Sequence, residues 1–482
     1  MENKVIYDAI IIGGGVIGCS IARYLSRYKG SFLVVERHND VGDETSCANS
    51  AIVHSGYDPK PGTLKAKYNV LGNKMMPELC KELDVPFKKT GSITVALNDE
   101  DMETLKELKN RAEINGVSAE LLSKEETIKI EPNINPNILG SLFCKDAGIV
   151  SPFGLTVSLM ENAMDNGVHL KLNSEIIEIK KEDGVYSLKD QHNNIYFAKF
   201  VINATGVNSE VVTKYLEEPT FHINPTKGEY ILLDHFNTQW VKHTLFVCPS
   251  KVGKGVLVSP TTSYNYIIGP SATPTKIGDT SCDKETYDFL KEKAKSLVIN
   301  VPYPETIKGF AGVRANNDHD DFIIEESKKN PGFILVAGIM SPGLASSPAI
   351  GEHVADYVKD KLKLSVNNKF NSRIRPHKNL LEMNLNNYNA LVREEPEFGK
   401  FICRCEKVSE GEIVDCINRN CGATTVKGVR KRTRAGFGKC QGTFCQLEVV
   451  KILAHELHKD VKEINYGELN TPILIQSSKE EK

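Results

Sequence analysis

A glycine-rich segment between an apolar run and an amphipathic stretch constrains the fold of this chain more than any other feature. Residues 13–18 read GGGVIG and fit the pattern G-x-G-x-x-G, directly after the apolar run at 9–12. Residues 16–28 have apolar side chains at helical spacing, and residues 32–36 form a second apolar run that ends in a carboxylate. Glycines at these positions permit a tight turn and the close approach of a pyrophosphate to helix amides. The segment predicts a strand, loop, helix and strand that bind a dinucleotide, with a glycine turn that binds nothing as the alternative.

The kind of dinucleotide is indicated by two further features. Glu36 ends the second run, where an acidic residue accepts hydrogen bonds from ribose hydroxyls and disfavours a 2′-phosphate. Residues 201–206 (VINATG) form an apolar strand followed by a small-residue turn. This segment resembles the second adenosine-side motif of flavoproteins with two dinucleotide folds, and FAD is therefore favoured over NAD.

Four cysteines near the C-terminal end stand in two short motifs, Cys403-x-Cys405 and Cys440-x4-Cys445. Two such pairs suit a [2Fe–2S] cluster held by four thiolates, and glycines on both sides of Cys440 allow backbone amides to turn toward sulfur. Zinc also takes four thiolates, but its pairs are usually more widely spaced than C-x-C. We therefore predict an iron–sulfur cluster, with zinc and unligated thiols as the alternatives.

Length and composition restrict the class of protein. At 482 residues the chain can form two or three domains with sizeable cores. The net charge of −2 gives no reason to expect nucleic acid, and no run of about 18 apolar residues predicts a membrane span. No cleavable signal precedes the first apolar run, which favours a reducing cytoplasm over an oxidising compartment. We expect packing roles for Cys19, Cys47, Cys80, Cys144, Cys248 and Cys282, and core or spare thiols at Cys416 and Cys421.

The changing patterns along the chain predict an α/β and α+β architecture. We expect a Rossmann-type FAD-binding domain with a mixed β-sheet substrate domain inside residues 1–363, then a linker, a small C-terminal [2Fe–2S] domain and a loosely held tail. Residues 348–361 predict a helix. The expected boundaries are 5–80, 145–210 and 305–363 for the FAD-binding part, 81–144 and 211–304 for the substrate part, 364–398 for the linker, 399–462 for the cluster domain and 463–482 for the tail.

With these motifs in place, a family resemblance becomes visible over about residues 5–360. The chain resembles the D-amino-acid-oxidase-like superfamily, and within it the branch of glycerol-3-phosphate oxidases and dehydrogenases and L-2-hydroxyglutarate dehydrogenases. Ala51 departs from this pattern, which favours glycine there. Residues 400–460 resemble the ferredoxin-like domain of bacterioferritin-associated ferredoxin. The matching segments are 49–56 (NSAIVHSG), 227–230 (KGEY), 254–261 (KGVLVSPT), 309–314 (GFAGVR) and 338–348 (GIMSPGLASSP).

The resemblance implies an FAD-dependent dehydrogenase that oxidises sn-glycerol 3-phosphate to dihydroxyacetone phosphate. It implies that electrons leave through the cluster to a partner, either an electron-transfer flavoprotein or an NAD(P)-linked flavoprotein subunit. L-2-hydroxyglutarate, a hydroxy acid, is the alternative substrate. A sensor protein that uses flavin only as structure is a third interpretation.

Three side chains are candidates for the chemistry. His54 lies in the flavin-side segment and could act as the base, because histidine titrates near neutral pH. Arg314 and Lys254 could hold the substrate anion. A structural histidine and surface ion pairs are the respective alternatives. The cofactor-binding candidates are Gly13, Gly15, Val16, Gly18, Glu36, Arg37, Thr45, Ser46, Asn49, Ser50, Ala204, Thr205, Gly206, Arg314, Ser341, Gly343, Leu344 and Ala345.

A basic run stands beside the second cysteine motif. Its cations could raise the potential of a negatively charged cluster or dock an acidic electron-transfer partner, and a solvated face is the alternative. The run comprises Lys427, Arg430, Lys431, Arg432, Arg434 and Lys439.

Overall fold

The first apolar run forms a buried strand because both faces of its sheet are covered. Ala9, Ile10 and Ile11 expose none of their surface.

The computed structural model describes residues 5–236, 239–249 and 255–476. The helices are α1 (Val16–Leu25), α2 (Leu64–Glu82), α3 (Asp99–Ile114), α4 (Lys124–Ile130), α5 (Pro152–Asp165), α6 (Ser209–Lys214), α7 (Lys284–Leu297), α8 (Gly343–Leu362), α9 (Leu385–Glu394), α10 (Glu410–Ile417), α11 (Val426–Thr433) and α12 (Gln446–Glu456).

The strands fall into two large sheets and two small ones. They are β1 (Ile6–Ile12), β2 (Phe32–Val35), β3 (Ile52–Val53), β4 (Phe87–Lys88), β5 (Ser92–Ala96), β6 (Glu120–Ser123), β7 (Gly140–Cys144), β8 (Gly148–Val150), β9 (His169–Lys171), β10 (Ile176–Glu182), β11 (Val185–Asp190), β12 (Ile195–Asn203), β13 (Ile223–Leu233), β14 (Thr244–Val247), β15 (Leu257–Pro260), β16 (Tyr266–Gly269), β17 (Thr273–Pro274), β18 (Thr306–Asn317), β19 (Ile323–Glu326), β20 (Phe333–Ala337), β21 (Phe401–Cys403) and β22 (Val408–Ser409).

The first sheet is the predicted dinucleotide-binding layer. Its path is β10-β11-β12-β1-β2-β9, with β20 beside β12 and β19 beside β20, and the pairs around β1 are parallel. Side chains of α1 and α8, such as Ile21 and Ile350, share one apolar core with the sheet. The helix predicted at 348–361 begins five residues earlier, at Gly343, so that Pro348 lies inside it. The Leu344 carbonyl oxygen, which loses a backbone donor at Pro348, accepts from Ser347 Oγ at 2.9 Å.

The second sheet is mixed, as predicted. Its path is β17-β13-β16-β15-β14-β5-β7-β6, with β18 paired along β13. Only β14 and β5 among its described pairs run parallel. We expected residues from 305 onward in the FAD-binding part, but β18 belongs to this second sheet, where it pairs with β13 from Ile223 to Leu233. Arg314 therefore lies in the substrate sheet, on β18 and opposite Thr226 of β13.

The linker and part of the expected tail make specific contacts with the folded domains. Asn371 accepts hydrogen bonds from the amides of Asn162 and Asn166, which fixes the linker against the first domain. The cluster domain packs α10, α11 and α12 around a small apolar core. Ile464, in the expected tail, is buried in that core. No helix among the described residues is long and apolar enough to cross a membrane.

Candidate active site and cluster site

The glycine loop is built for the close approach of a phosphate chain. Gly13 adopts φ +107°, and a Cβ at this position would lie 2.6 Å from the carbonyl oxygen of Ala204. A Cβ at Gly18 would lie 1.9 Å from the carbonyl oxygen of Gly13, so only glycine lets α1 pack on the loop. The Val16 amide donates to Ser46 Oγ at 2.9 Å. The loop therefore presents backbone at the helix N-terminus, as a pyrophosphate requires.

Glu36 is held at the end of β2 with its carboxylate fixed by two amides. Its oxygens accept from the Gly14 amide at 2.5 Å and the His38 amide at 2.9 Å. Burial raises the pKa of Glu36, against these two hydrogen bonds, which lower it. A buried, oriented carboxylate at this position suits a ribose hydroxyl.

One cavity of about 690 Å³ runs from the glycine loop to the substrate sheet. Its volume lies within the range of small-molecule and cofactor sites. All the cofactor-binding candidates line it except Gly18 and Ala345, which lie behind its wall in helix packing. Gly343 and Leu344 open the first turn of α8 at the cavity, where the helix N-terminus favours negative charge. A long channel with glycine backbone at one end and a buried ribose acceptor fits FAD.

His54 lies on the cavity wall with its backbone anchored. Its carbonyl oxygen accepts from the amide groups of Asn69 at 2.6 Å and Asn73 at 3.2 Å. Its ring lies 5.8 Å from the ring of Phe246, which also lines the cavity. Both asparagines are on α2, so this helix positions the imidazole at the cavity surface.

Arg314 reaches the same cavity from β18. Its Nη2 donates to the Ser271 carbonyl oxygen at 3.3 Å. A Cβ at Gly228, on the neighbouring strand, would lie 2.4 Å from Arg314 Nη2, so the glycine makes room for the guanidinium. Lys254 lies outside the described residues. The structure thus brings two of the three candidates for the chemistry to one cavity.

Sequence patterns gave no sign of the aromatic residues on the substrate side. Tyr230 and Phe246 line the cavity. The Tyr230 hydroxyl lies 3.1 Å from Ser50 Oγ, and its ring stacks on Phe310 at 4.7 Å. Tyr230 stands in a segment that matched the family, but nothing in its spacing distinguished it from an ordinary strand residue.

The four cysteines of the two motifs converge at the edge of the cluster domain. Cys405 Sγ lies 3.5 Å from Cys440 Sγ, and Cys403 is hydrogen bonded to Cys445. The thiol hydrogen bond from Cys445 and the Gly436 amide lower the pKa of Cys403, which favours its thiolate form. Each contact joins one cysteine from each motif.

This arrangement suits a two-iron cluster better than a single ion. Four cysteine thiols converge in two pairs, Cys405 with Cys440 and Cys403 with Cys445. Gly438 lies against Cys405, and a Cβ at this glycine would lie 2.5 Å from Cys405 Cβ. The missing side chain therefore lets the backbone at Gly438 lie close to the Cys405 sulfur. The donor set is the all-thiolate set of a [2Fe–2S] centre.

Two residues of the basic run, Lys431 and Arg432, are buried against carboxylates of the first domain, which the sequence did not predict. The guanidinium of Arg432 donates to both carboxylate oxygens of Asp40, at 2.8 and 2.9 Å. Lys431 Nζ lies 2.7 Å from a carboxylate oxygen of Asp40 and 2.7 Å from one of Asp43. The remaining contacts are Lys427 with Asp43, Arg434 with Glu406 and Asn265, Lys439 with Glu305, and Arg430 with Gln441. Lys427, Lys431 and Arg432 therefore form an interdomain clamp on Asp40 and Asp43, whereas Lys439 stays exposed to solvent.

The clamp reaches the wall of the cavity. Asp43 lines the cavity, next to Glu44 and Thr45. Phe437, between Arg434 and Lys439, packs 5.6 Å from Phe153 of α5 and lies under Lys308 of β18. Burial and the nearby Arg430 lower the pKa of Lys308 to about 8. The loop that lines the cavity on one side thus carries the cluster domain on the other.

Comparison with known proteins agrees with both sites. The family described as "FAD dependent oxidoreductase" matches residues 8–357, and the "BFD-like [2Fe-2S] binding domain" matches residues 401–455. A glycerol 3-phosphate dehydrogenase of Caloramator mitchellensis is 44% identical over 98% of this chain and 99% of its own. An Arabidopsis thaliana mitochondrial L-2-hydroxyglutarate dehydrogenase is 26% identical over 72% of this chain and 83% of its own.

The solved structures include a similar flavoprotein. The dithionite-reduced L-alpha-glycerophosphate oxidase from Mycoplasma pneumoniae, with FAD bound, superposes with a TM-score of 0.74. It is 32% identical to this chain, and the match covers 77% of this chain and 98% of the oxidase.

Proposed function

Because this chain belongs to the FAD-dependent oxidoreductase family and ends in a BFD-like [2Fe–2S] binding domain, we propose that it oxidises sn-glycerol 3-phosphate to dihydroxyacetone phosphate. The main support is the glycerol 3-phosphate dehydrogenase of Caloramator mitchellensis, which aligns across nearly the whole of both chains, including the cluster domain. The shared length matters, because a match to the flavoprotein part alone would fit an oxidase equally well.

The proposed role of His54 is to remove the hydroxyl proton. Oxidation of a secondary alcohol takes a hydride from carbon and a proton from oxygen, and FAD, when bound, accepts the hydride. His54 lies on the cavity wall, and two asparagines hold its backbone in place. Its imidazole is therefore positioned to accept the hydroxyl proton. The ring of Phe246 lies 5.8 Å from the imidazole on the same cavity wall.

The proposed role of Arg314 is to bind the phosphate. One of its N–H groups meets Ser271 at 3.3 Å, and no other protein partner is recorded for its guanidinium in the described part of the chain. The remaining donors can form a forked pair with a phosphate dianion. Lys254 is proposed from the sequence as a second, more flexible cation for the same group.

The cluster has a separate role, since the chain holds its thiols outside the cavity. When bound, the cluster passes single electrons to a partner, which we propose is an electron-transfer flavoprotein or an NAD(P)-linked flavoprotein subunit. The clamp keeps the cluster domain against the cavity loop. A cytoplasmic location is part of the proposal, because all twelve cysteines are free thiols.

Anaerobic mixing of the purified holoprotein with substrates tests this proposal. We expect sn-glycerol 3-phosphate to bleach the visible flavin absorbance, and glycerol at the same concentration to bleach it far more slowly, because glycerol lacks the dianion. L-2-hydroxyglutarate is the matched competitor from the other substrate class. Rapid bleaching by it, with none by glycerol 3-phosphate, would contradict the proposed substrate and support a hydroxy-acid dehydrogenase.

A further inference from the structure

The two thiol pairs of the cluster site differ in their access to solvent. Cys403 and Cys445 are buried in the apolar core of the domain, whereas Cys405 is exposed and Cys440 is half-buried. The outward pair is therefore the place where electrons can leave the chain, since transfer to another protein requires close approach. What surrounds this pair determines which partner can approach.

An unusually exposed aromatic side chain stands beside the outward pair. Phe444 is 84% exposed, and its backbone amide donates to the Cys440 sulfur. Leu447, one helical turn further along the chain, is 51% exposed. An exposed apolar side chain beside a redox ligand offers the apolar centre that a protein–protein interface needs.

The charges around the outward pair that lack an opposite partner in the described ranges are positive. Arg404 and Lys407 flank Cys405 and are exposed, and no ion pair with either is found in the described ranges. The nearby acidic side chains already have basic partners, namely Glu406 with Arg434, Glu410 with Lys400, and Glu448 with Lys451. The two uncompensated cations complement an acidic partner.

We propose that Phe444, flanked by Arg404 and Lys407, is the docking surface for an acidic one-electron carrier protein. This inference rests on the proposed function, because it assumes that electrons leave through the cluster. The sequence suggested the basic run at 427–439 as a docking site for the partner. The proposed surface takes its place, because residues of that run are engaged in the clamp. The partner is recognised by an apolar centre, which excludes water, and by acidic groups around it, which steer its approach.

Binding to cytochrome b5, an acidic one-electron carrier, tests the surface without turnover. Calorimetry of the oxidised holoprotein should show binding that weakens with salt, as screened charges require. Phe444→Ser and the pair Arg404→Glu with Lys407→Glu should each weaken binding by about 10-fold or more. Carbodiimide should couple Lys407 to carboxylates of cytochrome b5. Cytochrome c, a basic carrier, should bind poorly to the unaltered protein.

Two control variants match the changes in kind. Leu385→Ser removes another exposed apolar side chain, 71% exposed on α9. Lys459→Glu reverses an exposed charge beyond the far end of α12, about 16 Å from its Cys445 end by helix rise. Both should bind cytochrome b5 as the unaltered protein does. Equal binding by the Phe444 and charge variants, or equal weakening by the controls, would overturn the proposal.

Measuring the reduction of flavin, cluster and cytochrome b5 separately distinguishes this inference from the function on which it rests. Substrate should reduce flavin and cluster in Phe444→Ser as in the unaltered protein, while reduction of cytochrome b5 slows. If substrate reduces neither centre in the unaltered protein, the proposed function fails instead. If sedimentation shows a homodimer that Phe444→Ser dissociates, the surface holds a second copy of the chain and the inference is wrong.

Discussion

At the scale of single residues, Ala51 has a backbone conformation that its side chain disfavours. Its φ of +60° lies in the left-handed region, in the segment where the family pattern favours glycine. The amide of Ala51 donates to Asn49 Oδ1 at 2.8 Å, so the local hydrogen bonding fixes this conformation. The residue lines the cavity, and its strain is therefore located beside the flavin site.

Replacing this alanine tests the strain directly. Left-handed φ costs an L-residue roughly 1–2 kcal/mol, and the greater freedom of glycine in the unfolded chain costs roughly 0.5–1 kcal/mol. Ala51→Gly should therefore raise the free energy of unfolding by up to about 1 kcal/mol, measured by denaturant titration of the holoprotein. Ala48→Gly, in the same loop without positive φ, should not. A loss of stability in Ala51→Gly would show that the methyl group contributes packing instead.

His54 carries the second prediction at this scale. His54→Gln should keep FAD bound but slow the bleaching of flavin by substrate by ~10²–10⁴-fold, because general base catalysis is lost. High pH should recover part of the rate, since the substrate hydroxyl is then easier to deprotonate. Stopped-flow absorbance measures the effect. A rate equal to that of the unaltered protein would leave His54 with only a structural role.

The strand, glycine turn and helix around residues 6–25 and the position of Glu36 after β2 follow from local pattern, and the roles of these residues in cofactor binding stay predictions. The partners of the basic run could not be predicted from sequence. Asp40 and Arg432 are almost 400 residues apart, and nothing in their spacing shows that folding brings them together. An excess of positive charge on a short helix looks the same in sequence whether it faces water or buried carboxylates.

At the scale of elements, α11 is the structural join between the two halves of the protein. It begins with Thr425, whose side chain accepts from the Gly428 amide, and its basic residues reach the loop after β2. Burial alone would raise the pKa of Asp40, but Arg432 and Lys431 hold it well below the usual range. The carboxylate is therefore charged whenever the domains are docked.

Breaking this clamp should loosen the cluster domain. Arg432→Leu leaves Asp40 buried with one cation fewer, and loss of a partner from a buried pair costs roughly 3–5 kcal/mol. The double variant Asp40→Asn with Arg432→Leu should recover part of that loss, because no buried charge is left unpaired. Denaturant unfolding, followed separately by flavin and cluster absorbance, measures both. Lys459→Glu serves as the charge control.

The same pair predicts the effect of acid. A carboxyl whose pKa is lowered on folding stabilises the folded state above its unfolded pKa of about 3.9. That contribution is lost as pH falls through the lower folded value. The unaltered protein should therefore weaken below about pH 4 more steeply than the Asp40→Asn and Arg432→Leu double variant. Parallel pH profiles would assign acid sensitivity to other groups.

At the scale of the whole molecule, substrate oxidation and electron exit occupy different places. The cavity lies between the two large sheets, and the thiols lie at the edge of the third domain. Sequence reasoning predicted these parts and their order. It placed residues from 305 onward in the FAD-binding part, whereas β18 pairs with β13 in the second sheet, because local pattern does not show which strands pair after folding.

Removing one ligand should separate the two activities. Cys405→Ser should abolish the cluster, reducing the iron content from about two per chain, while substrate still bleaches the flavin. Transfer to cytochrome b5 should fail. Cys416→Ala, a buried cysteine of the same domain outside the two motifs, should keep its iron. Loss of flavin bleaching in Cys405→Ser with FAD still bound would mean that the two centres are coupled more tightly than the geometry indicates.

The clamp also decides what can be engineered in this protein. A chain cut after the flavoprotein part would leave Asp40 and Asp43 without the lysines and arginine that neutralise them, next to the cavity wall. The two halves are therefore not interchangeable modules, and a transplanted cluster domain would have to bring a matching basic helix. A stand-alone version of the flavoprotein would expose these two carboxylates, and the surface that the cluster domain covers, to solvent beside the cavity.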